Sequence, residues 1–437
     1  MSDFDLLVRG RERDIGILDG KFAAVGPNLP GTSREELDAT EMSILPGVID
    51  AHVHFNEPGR TDWEGFETGS RACAAGGTTT VFEMPLNAHP PTIDGANFDA
   101  KKAAAEKKSF VDFGLWGGLV PGNLDQLETL RNRGVVGLKA FMCDSGIDDF
   151  PYVTMSILRE GMKRASELDL LVALHAESQE MTQQLTKQKI AERKTTARDY
   201  LESRPVEAEL DAIKCAIDLA AETKCRLHIV HVSCGRGVAM IAAARARGVD
   251  ISCETCPHYL VFTDADMEQL GAVAKCAPPL RSEQDRQSLS DALAEVTTIG
   301  SDHSPSPWSM KDRQNFFEVW GGISGCQHLL PLLLDSSISP ERIADLTSKQ
   351  VAGRFRVGQK GDIAVGKDAD FTIVDLSEEE SVTRESLLYR HRHSPYVGRR
   401  LRGRIVRTVL RGQTIFVDGK IAGLPSGKLI RPNRSEQ

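Results

Sequence analysis

The chain has 437 residues, 41% hydrophobic and 26% charged, with a formal net charge of −9. That length exceeds one ordinary domain and can bury a large core, and the composition is that of a soluble globular protein. Both signs of charge are dispersed, so no basic block reads as a nucleic-acid or membrane patch.

The first residues, Met1-Ser2-Asp3-Phe4-Asp5, lack a basic segment followed by an apolar one, so no secretory signal is expected. No run of about 18 apolar residues suggests a membrane span. Nine cysteines, odd in number and scattered, fit reduced thiols in a cytoplasm better than a disulfide framework.

Residues 1–46 read as short strands and tight turns, with Asp19-Gly20 as a hairpin signal. The same grammar returns near the other end, at 361–364, 371–374, 405–410 and 414–417, with Asp418-Gly419 as another hairpin turn. Neither segment is long enough for a good core alone. The expectation is one composite β domain, built from 1–46 and 356–437, around a central domain of 47–355.

The central part alternates apolar β-rich runs with helix-length segments. The runs are 44–54, 78–84, 111–119, 135–142, 170–175, 227–232, 251–259 and 296–302. Helical patterns lie at 63–75, 95–107, 153–168, 206–223, 235–247 and 283–295. Eight near-continuous apolar strands alternating with helices predict an α/β fold, a parallel (β/α)8 TIM barrel carrying a small β-sandwich from both termini. A doubly wound open sheet is the structural alternative, although no Gly-rich dinucleotide fingerprint follows the first strand. Residues 179–204 form a charged excursion, expected to be helical and over the barrel mouth.

Polar residues punctuate these strands at one end. His52 and His54 close the first run, and two-residue spacing on a strand points both side chains the same way. Lys139 lies in the fourth run among apolar neighbours, where an ammonium must be partnered or neutralised. His175, His231 and Asp302 end the fifth, sixth and eighth runs. In barrel enzymes the C-terminal strand ends carry the chemistry. Each residue alone has a bland reading, as a core histidine or an aspartate capping the next segment. Together, the six make a candidate two-metal hydrolytic centre. His228 and His303 should face away from it. His89, His258 and His328 are weaker cases, and His391 and His393 are assigned to the terminal domain. Cys253-x-x-Cys256 has no second pair and is not read as a zinc site.

These residues carry a family resemblance. The motifs are His52-Val53-His54-Phe55-Asn56-Glu57-Pro58-Gly59-Arg60, Glu83-Met84-Pro85-Leu86-Asn87, Gly137-Leu138-Lys139-Ala140-Phe141-Met142, Glu254-Thr255-Cys256-Pro257-His258-Tyr259-Leu260, Cys276-Ala277-Pro278-Pro279-Leu280-Arg281, Ser301-Asp302-His303-Ser304-Pro305 and Trp320-Gly321-Gly322-Ile323-Ser324-Gly325. Across nearly its whole length the chain resembles the cyclic amidohydrolases of the amidohydrolase superfamily, and within them the allantoinase family. The resemblance implies that Lys139 is carboxylated by carbon dioxide and bridges two divalent metal ions as a carbamate. His52, His54 and Asp302 would hold one ion, His175 and His231 the other. Zinc is the expected metal, with cobalt, manganese or iron as substitutes. A homotetramer is the expected assembly.

The implied reaction is hydrolysis of allantoin to allantoate. A metal-bridged hydroxide would attack the ring carbonyl, with Asp302 as general base and then acid. Asn87 is a candidate substrate contact; its other reading is a turn residue. Backbone groups around Ala277 and Gly321-Gly322 would hold the imide edge. Dihydroorotase-like sequences usually carry an arginine where Asn56 stands, and hydantoinase-like sequences a tyrosine where Met142-Cys143-Asp144 follows Lys139. Dihydroorotase and hydantoinase or dihydropyrimidinase activities are the rival readings. Arg60 and Arg281 could reach the site, but structural ion pairing is the favoured reading. A non-catalytic scaffold would have lost ligands, and all six are present.

Overall fold

In the computed structural model, which describes residues 3–434, eight strands run parallel around a central axis. They are β1 (Val48–Val53), β2 (Thr78–Glu83), β3 (Asp112–Leu115, resuming at Gly117–Gly118), β4 (Leu138–Phe141), β5 (Leu171–His175), β6 (Arg226–Ile229), β7 (Ile251–Thr255) and β8 (Thr298–Ile299). Each pairs with the next in chain order. The ring closes where His54 N donates to the His303 carbonyl at 2.8 Å, beside a parallel bridge between Val53 and His303. β1, β2, β4, β5 and β7 are buried at every residue, which is why they read as continuous apolar runs.

The barrel floor is a packed plug. Phe355 sits edge-on to Phe82 and Trp116, with centroids 5.1 and 5.3 Å away, and Trp116 Nε1 donates to the Ala51 carbonyl. Ile49, Val136 and Leu171 fill the same layer. Helices cover the outside. In Val206–Thr223 the buried set Ala212, Ile213, Ala216, Ile217 and Ala220 recurs every three to four residues, the stripe a helix needs to lie on a sheet. Gln179–Ala191 and Ala197–Glu202 form the excursion, and both helices lend side chains to the mouth cavity.

Two strand boundaries differ from the sequence reading. The run 44–54 is two strands, because the chain leaves one sheet for another at Gly47. Ser43–Pro46 pairs antiparallel with the start of Phe371–Ser381, whereas Val48–Val53 enters the barrel. A Cβ at Gly47 would lie 2.2 Å from Thr79 Oγ1, so only glycine passes this crossing. The run 251–259 stops at Thr255, because Pro257 opens the helix Pro257–Val261.

Both termini build the sandwich. One sheet orders Lys21–Gly26, Asp14–Leu18, Phe4–Gly10 and Ser33–Ala39; the other orders Lys420–Ile421, Gln413–Val417, Arg400–Leu410, Phe371–Ser381 and Ser43–Pro46. Leu6, Val8, Ile17 and Phe22 from the first share a core with Phe371, Ile373 and Val409 from the second. An ionic knot pins the sandwich to the barrel. Buried Lys360 Nζ lies 2.6 Å from Asp112 of β3, 2.7 Å from Asp370 and 3.0 Å from Asp368. Removing one member of such a buried set costs about 3–5 kcal/mol.

His391 and His393 are not in the sandwich, contrary to their assignment from sequence. Residues 382–399 leave the sheet and lie along the barrel, where buried Glu64 requires donors. Arg390 N supplies one at 3.1 Å, while His391 and His393 donate to the carbonyls of Asp62 and Ser306 at 2.7 and 2.9 Å. Among the described residues, no helix is long and apolar enough to cross a membrane.

Candidate active site

The polar strand ends converge at the barrel mouth. His52 follows the β1 pleat and His54 lies one residue beyond it. Their Nε2 atoms lie 3.1 and 3.5 Å from the same oxygen, Asp302 Oδ1, and the three residues could hold a metal ion. Across the mouth, His175 Nδ1 and His231 Nε2 are 3.1 Å apart. The His52 and His231 rings, 5.5 Å between centroids, join the two groups. His231 and Asp302 lie past the last paired residues of β6 and β8, with left-handed φ of 41° and 47°. Non-glycine residues there cost about 1–3 kcal/mol and persist where surrounding structure holds them, commonly at functional sites.

Lys139 lines the same cavity. It is fully buried, and among the described residues its Nζ has no hydrogen-bond partner. Burial lowers its pKa to about 7, against the opposing pull of the Asp302 and Glu254 carboxylates. The result is an amine that is substantially neutral near physiological pH. Burial pushes His54 down to about 4 and His231 well below its usual range. Asp302 works the other way: despite burial, the neighbouring His52 and His54 imidazoles hold its carboxyl far below the usual carboxylate range.

Two carboxylates missed in the sequence orient the imidazoles. Glu254 Oε1 in β7 lies 2.8 Å from His52 Nδ1, and Glu177 Oε2 lies 2.7 Å from His175 Nε2. An ionised carboxylate only accepts, so those nitrogens carry the protons. The other nitrogens, His52 Nε2 and His175 Nδ1, then present lone pairs inward. Glu177 stays ionised because the Arg204 guanidinium, 2.5 and 3.1 Å away, offsets its burial. Inward lone pairs beside a carboxylate and an orphaned buried amine form a donor set suited to divalent cations. A Glu254→Gln chain is expected to bind zinc 10–100-fold more weakly, because an amide can donate to Nδ1 and favour the wrong tautomer; competition with a chromophoric chelator measures this. The signal for Glu254 was an acidic residue inside an apolar strand, and for Glu177 a carboxylate two residues after His175.

All nine residues assigned to the site from sequence line one cavity of about 690 Å3, within the range of small-molecule sites. His52, His54, Lys139, His175, His231 and Asp302 form its floor, with Asn87, Ala277 and Gly321 on the walls. Asn87 sits at a turn on the cavity wall. Its φ of 67° makes it a turn residue, and its amide lies 3.3 Å from His54 Nδ1 and 3.4 Å from Ser304 Oγ. Arg60 pairs with Asp149 at 3.2 Å, and Arg281 with Glu209 at 3.0 Å; neither lines the cavity. Asn56 is buried behind it, donating to the Pro305 carbonyl. His228 bonds Ser252, His303 takes the Gly325 N–H, His89 pairs with Asp149, and His328 meets Tyr389. Cys253 and Cys256 are free, as are the other seven cysteines. The acidic group Asp112, Asp368 and Asp370 already holds Lys360.

Comparison with known proteins agrees with this geometry. Residues 43–415 match the model of the Amidohydrolase family. A Rubrobacter xylanophilus protein named allantoinase is 54% identical, the match covering 100% of this chain and 99% of that one. One of the same name from Solibacter usitatus is 51% identical, over 96% and 93%. The solved structure of an L-hydantoinase (dihydropyrimidinase) from Arthrobacter aurescens superposes with a TM-score of 0.96 at 33% identity, covering 98% of this chain and 100% of that one. A match over most of its length, joined to a mouth of imidazoles, aspartate and buried lysine, shows that the chain belongs to the amidohydrolase family.

Proposed function

We propose that this chain opens the hydantoin ring of allantoin to give allantoate, and that it does so with two divalent cations, preferentially zinc. The observation that carries the reading is that four imidazoles, Asp302 and a fully buried lysine amine, unpartnered among the described residues, line one cavity. The 54% identical allantoinase supports the substrate. His52, His54 and Asp302 would hold one cation, His175 and His231 the other, with Lys139 between them. The neutral Lys139 amine is the form that could take up carbon dioxide, with loss of one proton, and as a carbamate it would complete the donor set of both cations. Bound there, the cations supply Lewis-acid polarisation and a water acidified toward neutrality.

The chain's own groups do the rest. Asp302, ionised and held at the mouth by both β1 histidines, takes the proton from the attacking water. It then delivers that proton to the leaving ring nitrogen, which is a poor leaving group as an anion. Asn87 and the backbone at Ala277 and Gly321 would orient the ring. A carboxylated ring such as dihydroorotate needs a cation to receive its carboxylate. Asn56 stands behind the wall, Arg60 and Arg281 are paired elsewhere, and Arg204 is committed to Glu177. These contacts leave none of the four positions as a free arginine at the mouth. Nine free cysteines support a cytoplasmic setting, and the family resemblance supports a homotetramer.

Assaying one purified sample on allantoin, dihydroorotate and unsubstituted hydantoin, with metal analysis, tests the reading. The expected result is two metals per chain and kcat/KM highest for allantoin. A higher value for either other ring would replace the substrate assignment.

A further inference from the structure

Residues 316–322 border the cavity, and two lysines bury their ammonium groups behind this loop. Lys275 Nζ donates to the carbonyls of Phe316, Phe317 and Val319 at 2.7, 3.3 and 2.6 Å. Lys311 Nζ donates to those of Ala272, Trp320 and Gly322 at 3.0, 2.9 and 2.6 Å. The two residues are 4% and 2% exposed, and among the described residues neither pairs with a carboxylate. Burying a cation without a counter-charge is costly, and burial pushes both amines down to about 7. Methionine would fill similar space without that cost. What the ammonium adds is three donors that turn carbonyl groups inward.

Their joint effect falls on one residue. The Trp320 and Gly322 carbonyls, on either side of Gly321, are both drawn to Lys311. The Trp320–Gly321 peptide is trans, so the Gly321 N–H leaves from the edge opposite Lys311. Gly321 is exposed and lines the cavity, and a Cβ there would meet nothing within 4 Å. Among the described residues, its N–H and C=O have no protein partner. Lys275 anchors the base of the same loop: its carbonyl takes the Gly322 N–H at 2.8 Å, and its ammonium lies 4.5 Å from the Tyr200 ring centroid. A donor and an acceptor on one backbone residue complement the N–H and C=O that adjoin on a cyclic imide.

We propose that Lys275 and Lys311 are positioning residues that hold the Gly321 donor–acceptor pair in register for the ring's imide edge, and thereby select rings whose imide nitrogen is unsubstituted. The proposal rests on the ring-opening reading above. Its test compares allantoin with the same ring methylated at the imide nitrogen, in the native enzyme and in Lys311→Met and Lys275→Met. The native enzyme should prefer the free ring by at least about 100-fold in kcat/KM. Each variant should raise KM for the free ring about 10-fold or more, leave kcat within about 3-fold and shrink the preference toward unity. Metal content per chain should not change. Variants that keep the native preference, or lose metal, would overturn the proposal. If neither variant folds, the native preference still decides, since equal opening of both rings overturns it as well. A native enzyme that opens neither ring sinks the ring-opening reading itself, a result distinct from failure of the lysine assignment.

Discussion

An Asp302→Asn enzyme will retain its metal and lose turnover by about 10^3-fold or more, since positioned proton transfer contributes 10^2–10^4 and this residue is assigned both transfers. The amide keeps an oxygen where Asp302 Oδ1 meets His52 and His54, so the donor set survives. What disappears is the site that accepts the proton of the attacking water. Metal analysis and single-turnover kinetics on one sample separate these effects. Turnover within about 10-fold of native would remove Asp302 from the role of base.

Lys139→Ala should abolish both metal binding and activity, because it removes the one group placed to bridge the two histidine sets. The pocket left behind opens onto the Phe141 ring, whose centroid is 4.9 Å from the native ammonium. A small carboxylic acid can enter such a space and present two oxygens. Acetate or propionate, with added zinc, should therefore restore part of the lost activity, whereas chloride at equal ionic strength should not. Carboxylation requires the neutral amine. With the Lys139 pKa lowered to about 7, that form is populated above pH 7 and lost below it. Reactivation of decarboxylated enzyme by bicarbonate should accordingly be faster at pH 8 than at pH 6. Full activity in Lys139→Ala would exclude the bridging role.

How much of this was readable in the sequence depended on the reach of the interaction. His52 and His54 were legible because strand geometry alone puts them on one face. The eight runs were legible because strands covered on both sides must be apolar. The domain boundary was placed beside Gly47, but the break of the run 44–54 into two strands there was not readable: the residues flanking it are apolar whether they lie in one sheet or two. His231 and Asp302 were placed at strand ends, but their left-handed backbone depends on the loops that hold them. Glu254 and Glu177 acquire roles only once the closed barrel brings β7 to His52 of β1 and Arg204 folds back over the mouth. Lys275 and Lys311 resemble ordinary solvated lysines until their neighbours bury them. His391 and His393 went to the wrong body because nothing local shows that residues 382–399 cross to the barrel.

The pairing of Ser43–Pro46 with Phe371–Ser381 bears on how the molecule is made. On the ribosome, an early edge strand waits for a mate that emerges more than three hundred residues later. Until then its hydrogen-bonding groups stay open to neighbouring nascent chains, a known route to aggregation. The polar strand Ser33–Ala39, with Arg34, Glu35, Glu36 and Asp38, lies just upstream and discourages such encounters by charge. Biogenesis of this protein therefore depends on delayed closure, and shortening the carboxyl end should reduce the yield of folded chain before it affects chemistry at the mouth.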